Sequence, residues 1–212
     1  DNRVTDGLLA LYRFTEGGGH TVNDVSDVGT PLDLRIADTS RVRWLAEGGL
    51  YFADDSALVT SEGPARKLYD GLTSSEALTV EVWAMPEHLE QTGPARIVSY
   101  SSDNSLRNFT LGQQNDGAVM RIRTPRSGLN GAYPDLEIAG VLGTGLHHIV
   151  STQDGEMTRM YIDGELQSGS LDLAADFSNW DPGYGLVLGN EAIASRPWRG
   201  NLYLVAIYDR AL

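Results

Sequence analysis

The chain has 212 residues, of which 41% are hydrophobic, so it can bury a core and does not have the composition of a disordered segment. Its 16 basic and 29 acidic residues give a net charge of −13, which argues against nucleic acid or an anionic membrane surface as a partner. Cysteine is absent, which excludes disulfides and thiolate chemistry, and no apolar run is long enough to span a bilayer.

Short apolar runs separated by glycine and aspartate make up the first third of the chain. They predict strands at 8–14, 32–36, 42–45, 50–52 and 57–60. The stretch 15–29 is rich in glycine and aspartate and is predicted to be a loop, with a brief strand pairing at Thr21 and Val22. The only predicted helix covers 64–72, with Pro64 in its first turn and Gly71 as its stop signal.

The segment 77–85 has the clearest strand pattern, because apolar and other residues alternate without interruption. One face carries Leu78, Val80, Val82 and Ala84, and the other carries Thr79, Glu81, Trp83 and Met85. Further strands are predicted at 95–101, 108–113 and 118–124, with a hairpin turn at 115–117. The segment 125–145 is predicted to be a loop.

Three consecutive antiparallel strands are predicted within 146–167, around two Asp-Gly pairs at 154–155 and 163–164. Asp-Gly between alternating apolar runs is typical of type I′ hairpins, because both turn residues need positive φ. An acidic loop and two closing strands, at 186–188 and 198–208, complete the chain. About twelve short strands and one short helix predict a single all-β domain over 1–212, an antiparallel two-sheet sandwich.

The sequence argues against a glycoside hydrolase. Such enzymes need two carboxyl groups across the scissile bond, and on a strand the expected pattern is E-x-D-x-E. Trp83 occupies the position where the middle aspartate would follow Glu81. We therefore expect no catalytic residues and a structural role for Glu81. The neighbouring His147 and His148 point to opposite faces of a strand and cannot chelate a metal together, and His148 is expected to face the core.

Three acidic residues in the glycine-rich loop, Glu16, Asp24 and Asp27, predict a calcium site. Carboxylates mixed with backbone carbonyls suit an ion that takes six to eight oxygen ligands. The alternative is that these aspartates stabilise turns through hydrogen bonds to their own backbone.

Aromatic residues in polar loops predict a carbohydrate-binding surface, because an aromatic ring stacks on the apolar face of a sugar. The candidates are Tyr133, Trp180, Tyr184 and Trp198. The alternative for each is that its ring covers the rim of the core.

Several segments together resemble the laminin-G-like, concanavalin A-like domains of bacterial exported proteins. They are the opening LLALYRFTEGGGHTVNDVSD, the strand LTVEVWAMP, the hairpin HHIVSTQDGEMTRMYIDGE, and the closing LVLGNE and RPWRGNLYLVAIYDRAL. The resemblance runs from about Gly7 to Leu212 and implies a jelly-roll sandwich. Tyr203 stands where many relatives have an acidic calcium ligand.

The resemblance implies a non-catalytic binding module for a glycan or a cell-surface protein, within a larger exported or surface protein. An extracellular or cell-surface location is expected on the same basis. The abrupt ends of the chain, and the lack of a strong site, leave a spacer domain without a ligand as the alternative, with a glycoside hydrolase as a weaker one.

Overall fold

The chain folds into two antiparallel eight-stranded sheets and one short helix in a computed structural model that describes residues 3–212. Sheet A contains β1 (Leu8–Tyr12), β4 (Val42–Trp44), β5 (Leu50–Phe52), β7 (Leu78–Pro86), β12 (His147–Gln153), β13 (Met157–Ile162), β14 (Glu165–Asp172) and β16 (Gly200–Tyr208). Sheet B contains β2 (Thr21–Val22), β3 (Leu34–Ile36), β6 (Val59–Ser61), β8 (Ala95–Ser101), β9 (Arg107–Gln114), β10 (Gly117–Ile122), β11 (Leu136–Ile138) and β15 (Gly185–Leu188). The predicted two-sheet jelly-roll sandwich with one short helix is confirmed.

The strand order shows how distant parts of the chain meet. Sheet A runs β14-β13-β12-β7-β16-β5-β4, and β1 also pairs with β16. Sheet B runs β11-β10-β9-β8-β15-β6-β3-β2. The last strand of the chain, β16, therefore lies in the middle of sheet A, with β7 on one side and the early strands β1 and β5 on the other.

The core lies between the two sheets and follows the predicted alternation of β7. Leu78, Val80, Val82 and Ala84 all belong to one buried cluster that also includes Tyr100 and Phe109 from sheet B. Successive strand side chains point to opposite faces, so Thr79, Glu81, Trp83 and Met85 lie on the face of sheet A that points away from sheet B. We call this the outer face of sheet A.

The two Asp-Gly pairs both close hairpins, but in different ways. Asp163 and Gly164 both have positive φ, 54° and 85°, and join β13 to β14 as the predicted two-residue turn. Between β12 and β13 the loop has three residues, and Gly155 has positive φ while Asp154 does not. Asp154 instead accepts hydrogen bonds from the backbone N–H groups of Glu156 and Met157.

The helix α1 (Arg66–Ser75) begins two residues later and ends three residues later than predicted. Gly71 does not stop it. A side chain there would clash with Leu9, whose methyl groups lie 2.7–2.8 Å from the position of a Cβ, so glycine lets the helix approach β1. Glu76, which has a left-handed φ of 52°, caps the helix, and its backbone N–H donates to the carbonyl of Leu72. In the described residues 3–212, none of the helices has the length and apolarity needed to cross a membrane.

The segment predicted as a loop at 125–145 contains one strand, β11. Its residues Leu136 and Ile138 pair with Met120 and Ala118 of β10. A three-residue strand is too short to show a periodic pattern, so only its pairing with β10 reveals it.

Sheet B carries a buried cluster of charged and hydroxyl side chains. Glu191, Arg96 and Arg107 are almost completely inaccessible to solvent, with Glu191 in ion pairs to both arginines. Ser99 and Thr110 lie beside them and share a hydrogen bond of 2.8 Å. Because Tyr100 and Phe109, the sequence neighbours of these two hydroxyl residues, point into the core, the cluster lies on the opposite side of the sheet.

Candidate functional site

Trp198, one of the four predicted ligand-binding aromatics, is part of the core. It has no solvent-exposed surface and packs edge-on against Phe52, with ring centroids 6.0 Å apart. Its Nε1 donates a hydrogen bond of 2.8 Å to the buried side chain of Gln113. The prediction that Trp198 contacts a ligand does not fit this position, because a fully enclosed ring has no face to offer to a sugar.

Trp180 and Tyr184 are also buried, and they hold the acidic loop against sheet B. Trp180 stacks on Phe177 with ring centroids 4.2 Å apart, and its Nε1 donates to the carbonyl of Arg123 at 2.7 Å. The guanidinium of Arg123 lies over the ring of Tyr184. The alternative, that these rings cover the rim of the core, describes both residues better than ligand contact does.

Tyr133 differs from the other three, since 85% of its surface is exposed. Ligand binding by Tyr133 stays a prediction.

The predicted metal ligands Glu16, Asp24 and Asp27 are not grouped around one point. Within residues 3–212, no three His, Cys, Asp or Glu side chains are placed so that they could share a metal ion. Asp24 accepts hydrogen bonds from three backbone N–H groups and lies 2.6 Å from the ammonium of Lys67. An ammonium so close to the carboxylate would repel a calcium ion.

The other two residues of this set also act locally. Glu16 accepts hydrogen bonds from the backbone and side chain of Asn23, and Asp27 has a positive φ of 58°, as expected of a turn residue. Tyr203, which the resemblance sets in place of an acidic calcium ligand, offers a hydroxyl that accepts a hydrogen bond from the side-chain amide of Asn201 at 3.3 Å. The hydrogen bonds that Asp24 and Glu16 accept, and the turn conformation of Asp27, fit the turn-forming alternative. Calcium binding by these three residues stays a prediction.

The outer face of β7 carries exposed and polar groups that no sequence motif identified, although the alternation of 77–85 places Glu81 and Trp83 on one face. Trp83 is 37% exposed, and among residues 3–212 it and Tyr133 are the two exposed aromatic side chains. His148 of β12 pairs directly with Trp83, and the two rings stack with centroids 4.6 Å apart. His148 therefore lies on the outer face of sheet A and not toward the core, contrary to the prediction.

Next to Trp83 along β7, Glu81 forms the floor of a hollow of about 280 Å³. Arg3 donates to both carboxylate oxygens, at 2.5 and 3.2 Å, and His148 Nε2 lies 3.0 Å from Oε1. The hydroxyl of Tyr208 donates to Oε2 at 3.4 Å. We call this the Glu81 hollow. It combines a carboxylate, a guanidinium, an imidazole and a phenol, all of which can bond to sugar hydroxyls.

The surroundings of Glu81 keep its carboxylate ionised. Burial by itself would raise its pKa, but the hydrogen bonds from His148 and Arg3, together with the charge of Arg3, outweigh burial and lower the pKa to about 2. A glycosidase general acid needs a raised pKa so that it still holds its proton near neutral pH. Glu81 is therefore unsuited to that role.

The lowered pKa of Glu81 predicts how the stability of the fold depends on pH. Because the folded pKa of Glu81 lies below its ordinary value of 4.5, ionised Glu81 stabilises the fold above about pH 4.5, and this contribution is lost as the pH falls toward 2. A shift of this size corresponds to a contribution on the order of 3 kcal/mol. We expect Glu81→Gln to destabilise the protein most near neutral pH and progressively less in acid. Urea unfolding of both proteins across this range measures the difference, and a constant difference would contradict the assignment.

Comparisons with known proteins agree with this architecture. A model of the laminin-G-like, concanavalin A-like lectin/glucanases superfamily matches residues 55–212. No curated protein matches the chain at a significant level.

Three of the similar solved structures show the range of proteins that share the fold. The binding domain of botulinum neurotoxin DC in complex with rat synaptotagmin II is 11% identical, with a TM-score of 0.70 over 99% of this chain and 50% of that one. The same binding domain in complex with SialylT is 11% identical, with a TM-score of 0.67 over 99% and 50%. Trypanosoma rangeli sialidase in complex with sialic acid is 15% identical, with a TM-score of 0.68 over 97% and 31%.

The chain thus spans about half the length of the neurotoxin binding domains and about a third of the sialidase. At these identities the likeness shows a shared fold and says nothing about a shared site. The family match covers more than half of the chain and includes all of β7, β12 and β16, which build the outer face of sheet A. The chain belongs to the concanavalin A-like lectin/glucanases superfamily.

Proposed function

We propose that the protein is a non-catalytic carbohydrate-binding module, within a larger exported or cell-surface protein, and that it binds its ligand on the outer face of sheet A. The observation that carries the proposal is the exposed ring of Trp83 beside the polar groups of the Glu81 hollow. An exposed ring next to a few fixed hydrogen-bonding groups is the arrangement that recognises a sugar, which has both apolar faces and hydroxyl edges.

The groups around Trp83 are held in place before any ligand arrives. His148 supports one face of the ring, and is itself fixed by its contact with Glu81. Arg3 and Tyr208 hold the carboxylate from the other side. Side chains that are already ordered lose little conformational freedom on binding, which favours affinity.

Two further considerations support binding without catalysis. The ionised Glu81 cannot supply a proton to a leaving group near neutral pH. The solved structures of similar fold include binding domains whose complexes are with SialylT and with synaptotagmin II. Glycan binding by this chain is nevertheless inferred from Trp83 and its surroundings.

A glycan array followed by titration calorimetry tests the proposal with Trp83→Ala and Tyr133→Ala as a matched pair of exposed aromatic residues. We expect Trp83→Ala to cost about 2 kcal/mol of binding free energy, a roughly thirty-fold loss of affinity, as is usual for an aromatic hot spot. Tyr133→Ala should bind like the unaltered protein.

The reverse result would place the ligand at Tyr133 and overturn the choice of surface. If no glycan binds the unaltered protein, the module has another role, and the spacer alternative gains support. Turnover of a polysaccharide that disappears in Glu81→Gln would overturn the non-catalytic assignment.

A further inference from the structure

A second hollow lies on the outer face of sheet A, on the other side of Trp83 from the Glu81 hollow. It has a volume of about 300 Å³, and its lining includes Tyr51, Met85, Glu87, Thr144 and Asn201. We call it the Tyr51 hollow. It spans three neighbouring strands, because Asn201 of β16 pairs with Met85 of β7 on one side and with Tyr51 of β5 on the other.

The positions of the two hollows are set by the geometry of β7. Glu81, Trp83 and Met85 are alternate residues of one strand and project from the same face. Each two-residue step along a strand advances by about 6.6–6.8 Å, so Glu81 and Met85 lie about 13 Å apart, with Trp83 halfway between them. This distance is longer than a single sugar ring.

Both hollows offer groups that bond to hydroxyls. In the Tyr51 hollow, the hydroxyl of Tyr51 donates to Oε1 of Glu87 at 3.1 Å, and Arg199 donates to Oε2 at 2.9 Å. The side-chain amide of Asn201 donates only a long bond, 3.3 Å, to Tyr203. Carboxylate and amide groups are the planar side chains that can pair with neighbouring hydroxyls of a sugar.

Each hollow by itself lies at the lower limit of the size of a small-molecule site. With the ring of Trp83 between them, they follow one another along the outer face of β7. Hydrogen-bonding groups therefore lie on both sides of the Trp83 ring. A single sugar stacked on this ring could reach the groups of only one hollow.

We infer that the ligand of this surface is an extended chain of sugars that crosses Trp83 and occupies the Glu81 hollow and the Tyr51 hollow at the same time. This inference rests on the proposed function and adds the ligand class: a linear oligosaccharide or polysaccharide, bound along its length, and not a single terminal sugar. Affinity comes from several sugars, with the central one on Trp83.

Calorimetry with gluco-, manno- and galacto-oligosaccharides of one to six sugars tests the inference on the whole chain. For the series that binds, the longest member is expected to bind at least tenfold more tightly than the monosaccharide. Asn201→Ala is expected to remove most of this gain, because it acts on the second hollow alone, and Trp83→Ala should weaken binding of every length. Ile193→Ala, at an exposed residue that lines neither hollow, serves as the control.

Tyr51→Phe provides a second variant, since it removes one exposed hydroxyl and keeps the ring. It should also reduce the gain from chain length. Equal affinity for one sugar and for six would overturn the inference and leave the proposed function standing. Long chains bound normally by both Asn201→Ala and Tyr51→Phe would overturn it too. If no sugar of any length binds, the proposed function falls with it.

Discussion

Glu191→Ala is expected to destabilise the fold by about 3–5 kcal/mol, which is the range measured when one partner of a buried ion pair is removed. Glu191 has no exposed surface, and its Oε2 lies 3.2 Å from Nε of Arg96 and 3.7 Å from a terminal nitrogen of Arg107. Its Oε1 accepts hydrogen bonds from the hydroxyl of Ser101 and from the backbone N–H of Ala192.

The size of this effect follows from the two arginines that share one carboxylate. Burial lowers the pKa of Arg96, and burial together with the nearby charge of Arg96 lowers that of Arg107, so burial disfavours the charged form of both arginines. The charge of Glu191 opposes this effect in both cases. Without Glu191, two buried positive charges would face each other with no buried counter-charge in the cluster.

Urea unfolding of Glu191→Ala and Glu191→Gln measures the effect and separates its causes. The glutamine variant keeps the volume and a hydrogen bond to Ser101 but not the charge. We expect it to be destabilised nearly as much as the alanine variant. A loss of less than about 1 kcal/mol in both variants would contradict the role given to the charge.

The second large effect is expected for Trp198→Ala, which should destabilise the protein by about 3–5 kcal/mol through the cavity it leaves. Trp198 fills the core beside Phe52, and Gly200 lies so close that a Cβ there would sit 2.7 Å from the indole ring. Its hydrogen bond to Gln113 would also be lost. Trp198→Phe, which keeps most of the volume, should cost clearly less.

Alanine variants of Trp198 and Trp83 are expected to have opposite effects on stability and on sugar binding. Trp83→Ala is expected to lose sugar binding with a small change in stability, because more than a third of the residue is already exposed. Trp198→Ala is expected to lose stability while the fraction that stays folded still binds sugar. Thermal unfolding and calorimetry on both variants check this, and sugar contact by Trp198 would show itself as a loss of binding in well-folded Trp198→Phe.

The chain could be assigned to its fold because its longer strands and its turns carry local patterns. The alternation in 77–85 correctly separated core residues such as Val80 and Val82 from the outer residues Glu81 and Trp83. The turn residues Asp163 and Gly164 correctly located a hairpin, since few residues tolerate positive φ. Both signals lie within a few residues of one another and need no knowledge of the rest of the chain.

The candidate site could not be assembled in the same way. The partners of Glu81 lie 78 residues away at Arg3, 67 residues away at His148 and 127 residues away at Tyr208. Sequence context predicted exposed rings at Trp180 and Trp198, but both are buried. A polar loop that folds back on a sheet can bury its aromatic rings as effectively as a strand does.

By itself, the sequence determined the sandwich, the face of β7 that carries Trp83, and the family. The sandwich and the face of β7 depend on the two-residue period of a strand and on the φ of turn residues, both of which are local properties of the backbone, whereas the family was indicated by the resemblance of whole segments. Only the tertiary structure decided which rings are exposed and which charges meet, because β16 enters sheet A between β7 and the first strands of the chain. That long-range pairing brings Tyr208 and Asn201 to the outer face beside Trp83, and no local pattern specifies it.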